Sequence, residues 1–239
     1  MAYSTFAINF FVALFALIDP IGNVALFAAA TPGAKAFERV QISLLISIVV
    51  FAFLAFFYFT GVSLLQFFGI SLPAFRIAGG LILFLLGLQM ARDDYTSAFA
   101  DVADAGAGAR DSAAYVRRRF ERMIVPFAMP LLIGPGAIST VIIYASQARA
   151  FGFTGTILGM AVIAATSLVA FVSFSLTPVL TRLLGKIGMT IVVRVLGLIL
   201  CAMAIQFLLA GLADSTIGLI RHSAAVPYPD GTPLHLPGQ

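Results

Sequence analysis

Six apolar stretches, each long enough to cross a bilayer as a helix, leave this chain few folds to choose from. They cover residues 5–31, 41–62, 70–91, 124–147, 154–178 and 189–212. About 20 apolar residues span the hydrocarbon core in helical form, and in lipid every backbone polar group must find a partner within the protein. The expected fold class is therefore an all-α polytopic membrane protein with six transmembrane helices. Composition agrees: 61% of the 239 residues are hydrophobic and 10% are charged, where a soluble domain carries about a quarter charged. The 23 Phe residues and the absence of Trp suit lipid-facing packing and say nothing about a substrate.

The sparse charge is sorted. Lys35, Arg39, Arg92, Arg110, Arg117, Arg118, Arg119, Arg122, Arg182 and Lys186 lie in the first, third and fifth loops, whereas the second and fourth loops and both tails hold only Arg149 and Arg221. Cytoplasmic loops attract basic residues, so both termini are expected on the extracytoplasmic side. Charge used in this way argues against nucleic acid as a partner and for the lipid bilayer. No basic segment precedes the first apolar stretch, which is also too long for a signal-peptide core. The first span is therefore expected to be retained.

Self-similarity comes next. Span three reads Arg76-Ile77-Ala78-Gly79-Gly80-Leu81 and span six reads Arg194-Val195-Leu196-Gly197-Leu198-Ile199, each running on to a glutamine, Gln89 or Gln206. Span one holds Asp19-Pro20-Ile21-Gly22-Asn23, and span four holds Gly134-Pro135-Gly136-Ala137-Ile138-Ser139. Pro20 and Pro135 are 115 residues apart, Arg76 and Arg194 are 118 apart. Two matched features at nearly one offset point to a duplication. The expected organisation is a first three-span repeat over 1–91, a polar cytoplasmic linker over 92–123, a second repeat over 124–212 and a Pro-rich tail over 213–239. Three is odd, so the second repeat is expected to enter the membrane inverted, a plan that recurs among secondary transporters.

Spans one and four carry their own interruptions near mid-membrane. Proline lacks an amide hydrogen and crowds the preceding turn, and glycine weakens helix preference. Asp19-Pro20 also reads as an N-cap followed by proline at the first helical position. Each of these spans is expected to be two half-helices, the second starting near Pro20 and near Pro135. A half-helix start exposes unpaired amides and a positive dipole end, which suit a carboxylate and cannot face hydrocarbon. The candidate substrate or ion site is therefore Asp19, Pro20, Gly22, Asn23, Gly134, Pro135, Gly136, Ser139 and Thr140. Kinking alone is the plainer explanation of one Pro-Gly break, but matched breaks favour a site.

Asp19 is the sole acid inside a span, and an ionised carboxylate there is costly. It either serves a proton, cation or ammonium group or merely caps the half-helix. Arg76 and Arg194 are secondary candidates: snorkelling explains both simply, and pairing with Asp19 or guarding an entrance is the sharper alternative. Gly79, Gly80, Gly87 and Gly197 fit close helix contact.

Catalytic inventories come up short. A single buried acid cannot form an aspartyl dyad, and both histidines, His222 and His235, fall in the tail. Cys201 is the one cysteine, so neither a disulfide framework nor a paired-thiol metal site is expected. No metal ligands gather within the spans, no cofactor is implied, and no nucleotide-binding loop is present. An enzyme is not expected.

The runs Ile18-Asp19-Pro20-Ile21-Gly22-Asn23, Leu72-Pro73-Ala74-Phe75-Arg76-Ile77-Ala78-Gly79-Gly80 and Pro130-Leu131-Leu132-Ile133-Gly134-Pro135-Gly136-Ala137-Ile138-Ser139-Thr140 together resemble the MarC family, over about residues 5 to 212. That resemblance implies six helices in a bacterial or archaeal inner membrane and transport of small neutral amino acids. Relatives often carry proline where Ala25 stands here, and the segments 92–123 and 213–239 look particular to this chain. The leading expectation is a secondary transporter of alanine- or glycine-like solutes, coupled to an ion or proton. A channel or exporter of another small solute, or a non-transporting scaffold, is the alternative. Assembly with further copies of the chain is compatible with either.

Overall fold

The computed structural model describes residues 3–31, 33–92 and 111–215. Its elements are helices α1 (Tyr3–Ile18), α2 (Val24–Ala30), α3 (Ala36–Phe67), α4 (Leu72–Ala91) and α5 (Ser112–Met123), then a π-helix (Ile124–Leu132), and then α6 (Pro135–Ala148), α7 (Gly152–Ser175) and α8 (Thr177–Ser215). Among the described residues no strand occurs. Four helical stretches among the described residues are long and apolar enough to cross a membrane: Ala36–Phe67, Leu72–Ala91, Pro135–Val179 and Ile191–Ser215. Tyr3–Ile18 is a shorter apolar helix.

That number falls below six for reasons visible in the chain. The first apolar stretch is cut into α1 and α2, neither long enough alone. The fourth and fifth run on as one helical stretch, with only a three-residue 3₁₀ turn and Gly152 at φ 61° between them. Gly152 belongs to a set: Gly33, Gly69 and Gly185 also take left-handed φ, and each stands where one apolar stretch gives way to the next. Glycine reaches that region without the Cβ clash that other residues meet.

The helices before and after α5 interleave. Helix α4 packs along α8, and α3 packs along α7. Helix α2 lies on α8 while α6 lies on α4, and α1 meets α7 while the π-helix meets α3. The α4–α8 seam comes down to backbone contact at glycine: a methyl group on Gly197 would stand 2.7 Å from the Gly87 carbonyl, and one on Gly87 would stand 2.9 Å from the Cys201 amide. Lipid gives no hydrophobic drive for helices to associate, so close backbone approach supplies the attraction instead. Large apolar side chains such as Phe56, Phe59, Phe153 and Leu198 remain exposed on the outer surface, where a soluble protein would bury them.

Helix α5 lies inside the segment expected as a polar linker; residues 93–110 of that segment and 216–239 of the tail lie outside the described residues. Asp111 caps α5, its Oδ1 accepting from the Ala114 amide at 2.6 Å. Val116, Arg119 and Met123 form its buried face. Two prolines, Pro126 and Pro130, follow in the π-helix, where each missing amide disrupts regular α pairing.

Candidate functional site

Both expected interruptions exist. Helix α1 stops at Ile18, and the chain turns through residues 19–23 before α2 starts at Val24. The π-helix stops at Leu132, and α6 starts at Pro135 with proline in its first turn. The second half-helix of the first break starts a turn later than Pro20, because residues 20–23 form an irregular turn.

The first break satisfies itself. Asp19 adopts φ 41°, a left-handed conformation that aspartate tolerates better than most residues. Its Oδ1 accepts from the Gly22 amide at 3.1 Å, which holds the turn ahead of the new helix. The Asn23 Nδ2 donates to the Ile18 carbonyl at 2.8 Å, which closes the end of the old one. Asn23 is buried, Pro20 is buried, and Asp19 and Gly22 are half-buried, while Ile21 is 58% exposed. Asn23, not Asp19, stands at the N-cap of α2, and no side chain caps that helix; Asp19 bonds within the turn before it.

The second break is deeper and less sealed. Ile133, Gly134 and Gly136 are buried. Gly134 occupies the N-cap, so no side chain receives the amides of the first turn. Ser139 is buried and its hydroxyl donates to the Gly136 carbonyl at 3.0 Å, within its own helix. Thr140 is half-buried one residue further along.

Each break is packed by a long helix from the other side of α5 in the chain. The Gly22 Cα faces Leu196 on α8 with no room for a Cβ, and Gly79 on α4 is pressed against the Pro135 ring. The breaks also approach one another: a methyl group on Gly136 would stand 2.5 Å from the Phe207 ring and 3.5 Å from Leu17 Cδ2, just ahead of the first break. Leu17, Leu196 and Phe207 were absent from the sequence-level site. Leu196 adjoins Gly197 of the repeated motif, so the repeat itself pointed there; Leu17 and Phe207 carry no signal that one sequence displays.

Arg76 does not pair with Asp19. Its Nη1 donates to the Asp214 Oδ2 at 2.6 Å, so it bridges the start of α4 to the end of α8. Arg194 is exposed on α8. A cleft of about 470 Å³ opens where α3 ends and α4 begins, against the far end of α6. Val62, Gln66, Ser71, Ile142 and Gln147 line it, and no residue of either break takes part. Among the described residues no group of His, Cys, Asp and Glu could hold a metal.

An all-helical chain with bilayer-length apolar helices, tight glycine seams and helix ends sealed by its own side chains is a polytopic integral membrane protein. The chain belongs to the MarC family: the family model described as MarC family integral membrane protein matches residues 4–216. It is 33% identical over 212 residues to a UPF0056 membrane protein of Buchnera aphidicola, covering 87% of this chain and 93% of that one. A UPF0056 membrane protein of Aquifex aeolicus is 32% identical over 212 residues, covering 89% and 92%. Another, from Pyrococcus abyssi, is 31% identical over 208 residues, covering 87% and 94%. The family thus spans bacteria and archaea. No solved structure matches this chain.

Proposed function

We propose that this protein is a secondary carrier of small neutral amino acids, alanine- or glycine-like, driven by an ion or proton gradient. In this reading six spans form two inverted three-span repeats, with both termini extracytoplasmic. The π-helix, α6, α7 and α8 answer to α1, α2, α3 and α4. The reciprocal packing of those elements supports that correspondence. So does the recurrence of left-handed glycines, Gly33 with Gly152 and Gly69 with Gly185, 119 and 116 residues apart.

The observation that carries the proposal is the pair of matched interruptions, each packed by the opposite half. Open first-turn amides at Gly136 and Ala137 suit a substrate carboxylate, and Asp19 with Asn23 suits an ammonium group or the coupling ion. Alternating access then comes from one half rocking against the other. Nothing in the spans supplies an acid pair or a nucleophile with its base, so no catalysis is proposed.

Purified protein in liposomes, assayed for radiolabelled alanine flux with and without a proton or sodium gradient, tests the reading. Saturable, gradient-dependent flux that Asp19→Asn abolishes supports carriage. Flux that never saturates favours a channel. No flux across a broad panel of small solutes removes transport and leaves a scaffold.

A further inference from the structure

Aromatic contacts bracket the breaks on both sides. Phe10 of α1 stacks on Tyr144 of α6, ring centroids 4.5 Å apart and planes 10° apart. Toward the opposite end, Phe27 of α2 meets Phe127 of the π-helix at 6.1 Å. Phe174 of α7 completes that second cluster, stacked on Phe27 at 5.0 Å and tilted on Phe127 at 5.5 Å. Phe10, Phe27, Phe127 and Phe174 are wholly buried.

The two contacts are images of each other. Phe10 and Phe127 are 117 residues apart, and so are Phe27 and Tyr144. Each contact joins the first arm of one half to the second arm of the other. Phe10 lies nine residues before Asp19 and Tyr144 nine after Pro135, whereas Phe27 lies eight after Asp19 and Phe127 eight before Pro135. At a helical rise of about 1.5 Å per residue, both ring pairs stand roughly 12–14 Å from the breaks. A core about 30 Å thick places them near its two faces.

We propose that these ring pairs are the two gates of one path through the breaks, and that both are shut in this structure. The proposal rests on the carrier reading for what passes, but not for the gates themselves. Ring contacts suit the task, since the faces that part are joined by packing alone. The Phe27 gate is further tied down at its arm's end. The Ala30 carbonyl accepts from the Arg119 Nη1 at 3.1 Å, and the Thr31 carbonyl accepts from the Arg39 Nη2 at 3.1 Å. The Phe10 gate sits instead among other rings, Phe6 and Phe151, beside the tip that joins α6 to α7.

Accessibility tests this without any solute. In a Cys201→Ala background, Ser139→Cys gives a near-isosteric reporter beside the second break. A membrane-impermeant maleimide is applied to right-side-out and inside-out vesicles. With both gates intact, labelling is slow from either side. Phe10→Leu with Tyr144→Leu accelerates labelling at least tenfold from the face where α1 begins, and Phe27→Leu with Phe127→Leu does so only from the opposite face. Acceleration from both faces alike, or from neither, overturns the gates. Each double variant controls for general loosening in the other, because both remove two rings. Should a double variant fail to elute as a monodisperse species, Phe10→Leu and Phe27→Leu alone keep the same side preference at about threefold. Side-specific labelling with no flux of any solute would leave the gates standing and remove the carrier.

Discussion

Gly197→Ala sets two physical effects of opposite sign against each other. Alanine is favoured over glycine in a helix interior by about 0.8–1.0 kcal/mol, so propensity alone predicts stabilisation. The new methyl group, however, would stand 2.7 Å from the Ala91 amide nitrogen, 2.7 Å from the Gly87 carbonyl and 2.8 Å from the Met90 Cβ. Two of those three atoms are backbone, so the obstruction cannot swing aside as a flexible side chain would. Overpacking of this kind costs about 1–3 kcal/mol. The balance is a loss of about 1 kcal/mol, or a fall of about 2–4 °C in Tm for a chain of this size. Gly87→Ala should behave alike, meeting the Gly197 carbonyl at 2.8 Å. The double variant should lose less than the sum, since one separation of α4 from α8 relieves both. Thermal unfolding in detergent, followed by monodisperse elution against temperature, gives the answer. A higher Tm in either single variant would refute the close approach, because propensity would then have prevailed.

Three further outcomes follow from the same contacts. Asp19→Ala loses the turn bond to the Gly22 amide and should lower stability by about 0.5–1.5 kcal/mol, while Asp19→Asn keeps an acceptor and should stay near the parent in Tm. Arg119→Ala strands the Ala30 carbonyl and should cost about 1.5–3 kcal/mol, read as a lower Tm together with faster tryptic cleavage within α5. The Glu38 Oε2 accepts from the Lys35 amide at 2.8 Å and so ties down the start of α3; Glu38→Ala should cost about 0.5–1.5 kcal/mol, read as a lower Tm, and an unchanged Tm would assign that start's stability to other contacts.

What the sequence disclosed divides by range. Asp19-Pro20 and Gly134-Pro135 announced the breaks because proline and glycine act on their own turn. The apolar stretches located the long helices for the same reason. Helix α5 is masked by its charge: Arg117, Arg118, Arg119 and Arg122 read as a basic loop, although Val116, Arg119 and Met123 recur on one helical face. The π-helix was legible only as a disturbance: Pro126 and Pro130 announce lost α pairing without saying which register replaces it. The partner of Arg76 sits 138 residues away in Asp214, and one sequence carries no record of such pairings. The site was legible as two places on the chain, with Leu196 hinted at by the repeated motif, while Phe207 was fixed only by how α8 crosses both.

Helix α2 is seven residues long, too short to persist on its own strength. The donor that closes its final turn, Arg119, is synthesised 89 residues after Ala30. During biogenesis the opening segment must therefore wait with the Ala30 carbonyl at the end of α2 uncovered, until α5 arrives to meet it. Maturation of the earliest segment is thus scheduled by one of the middle ones, and a chain arrested before residue 119 should present an unfinished first span to proteases of the host membrane.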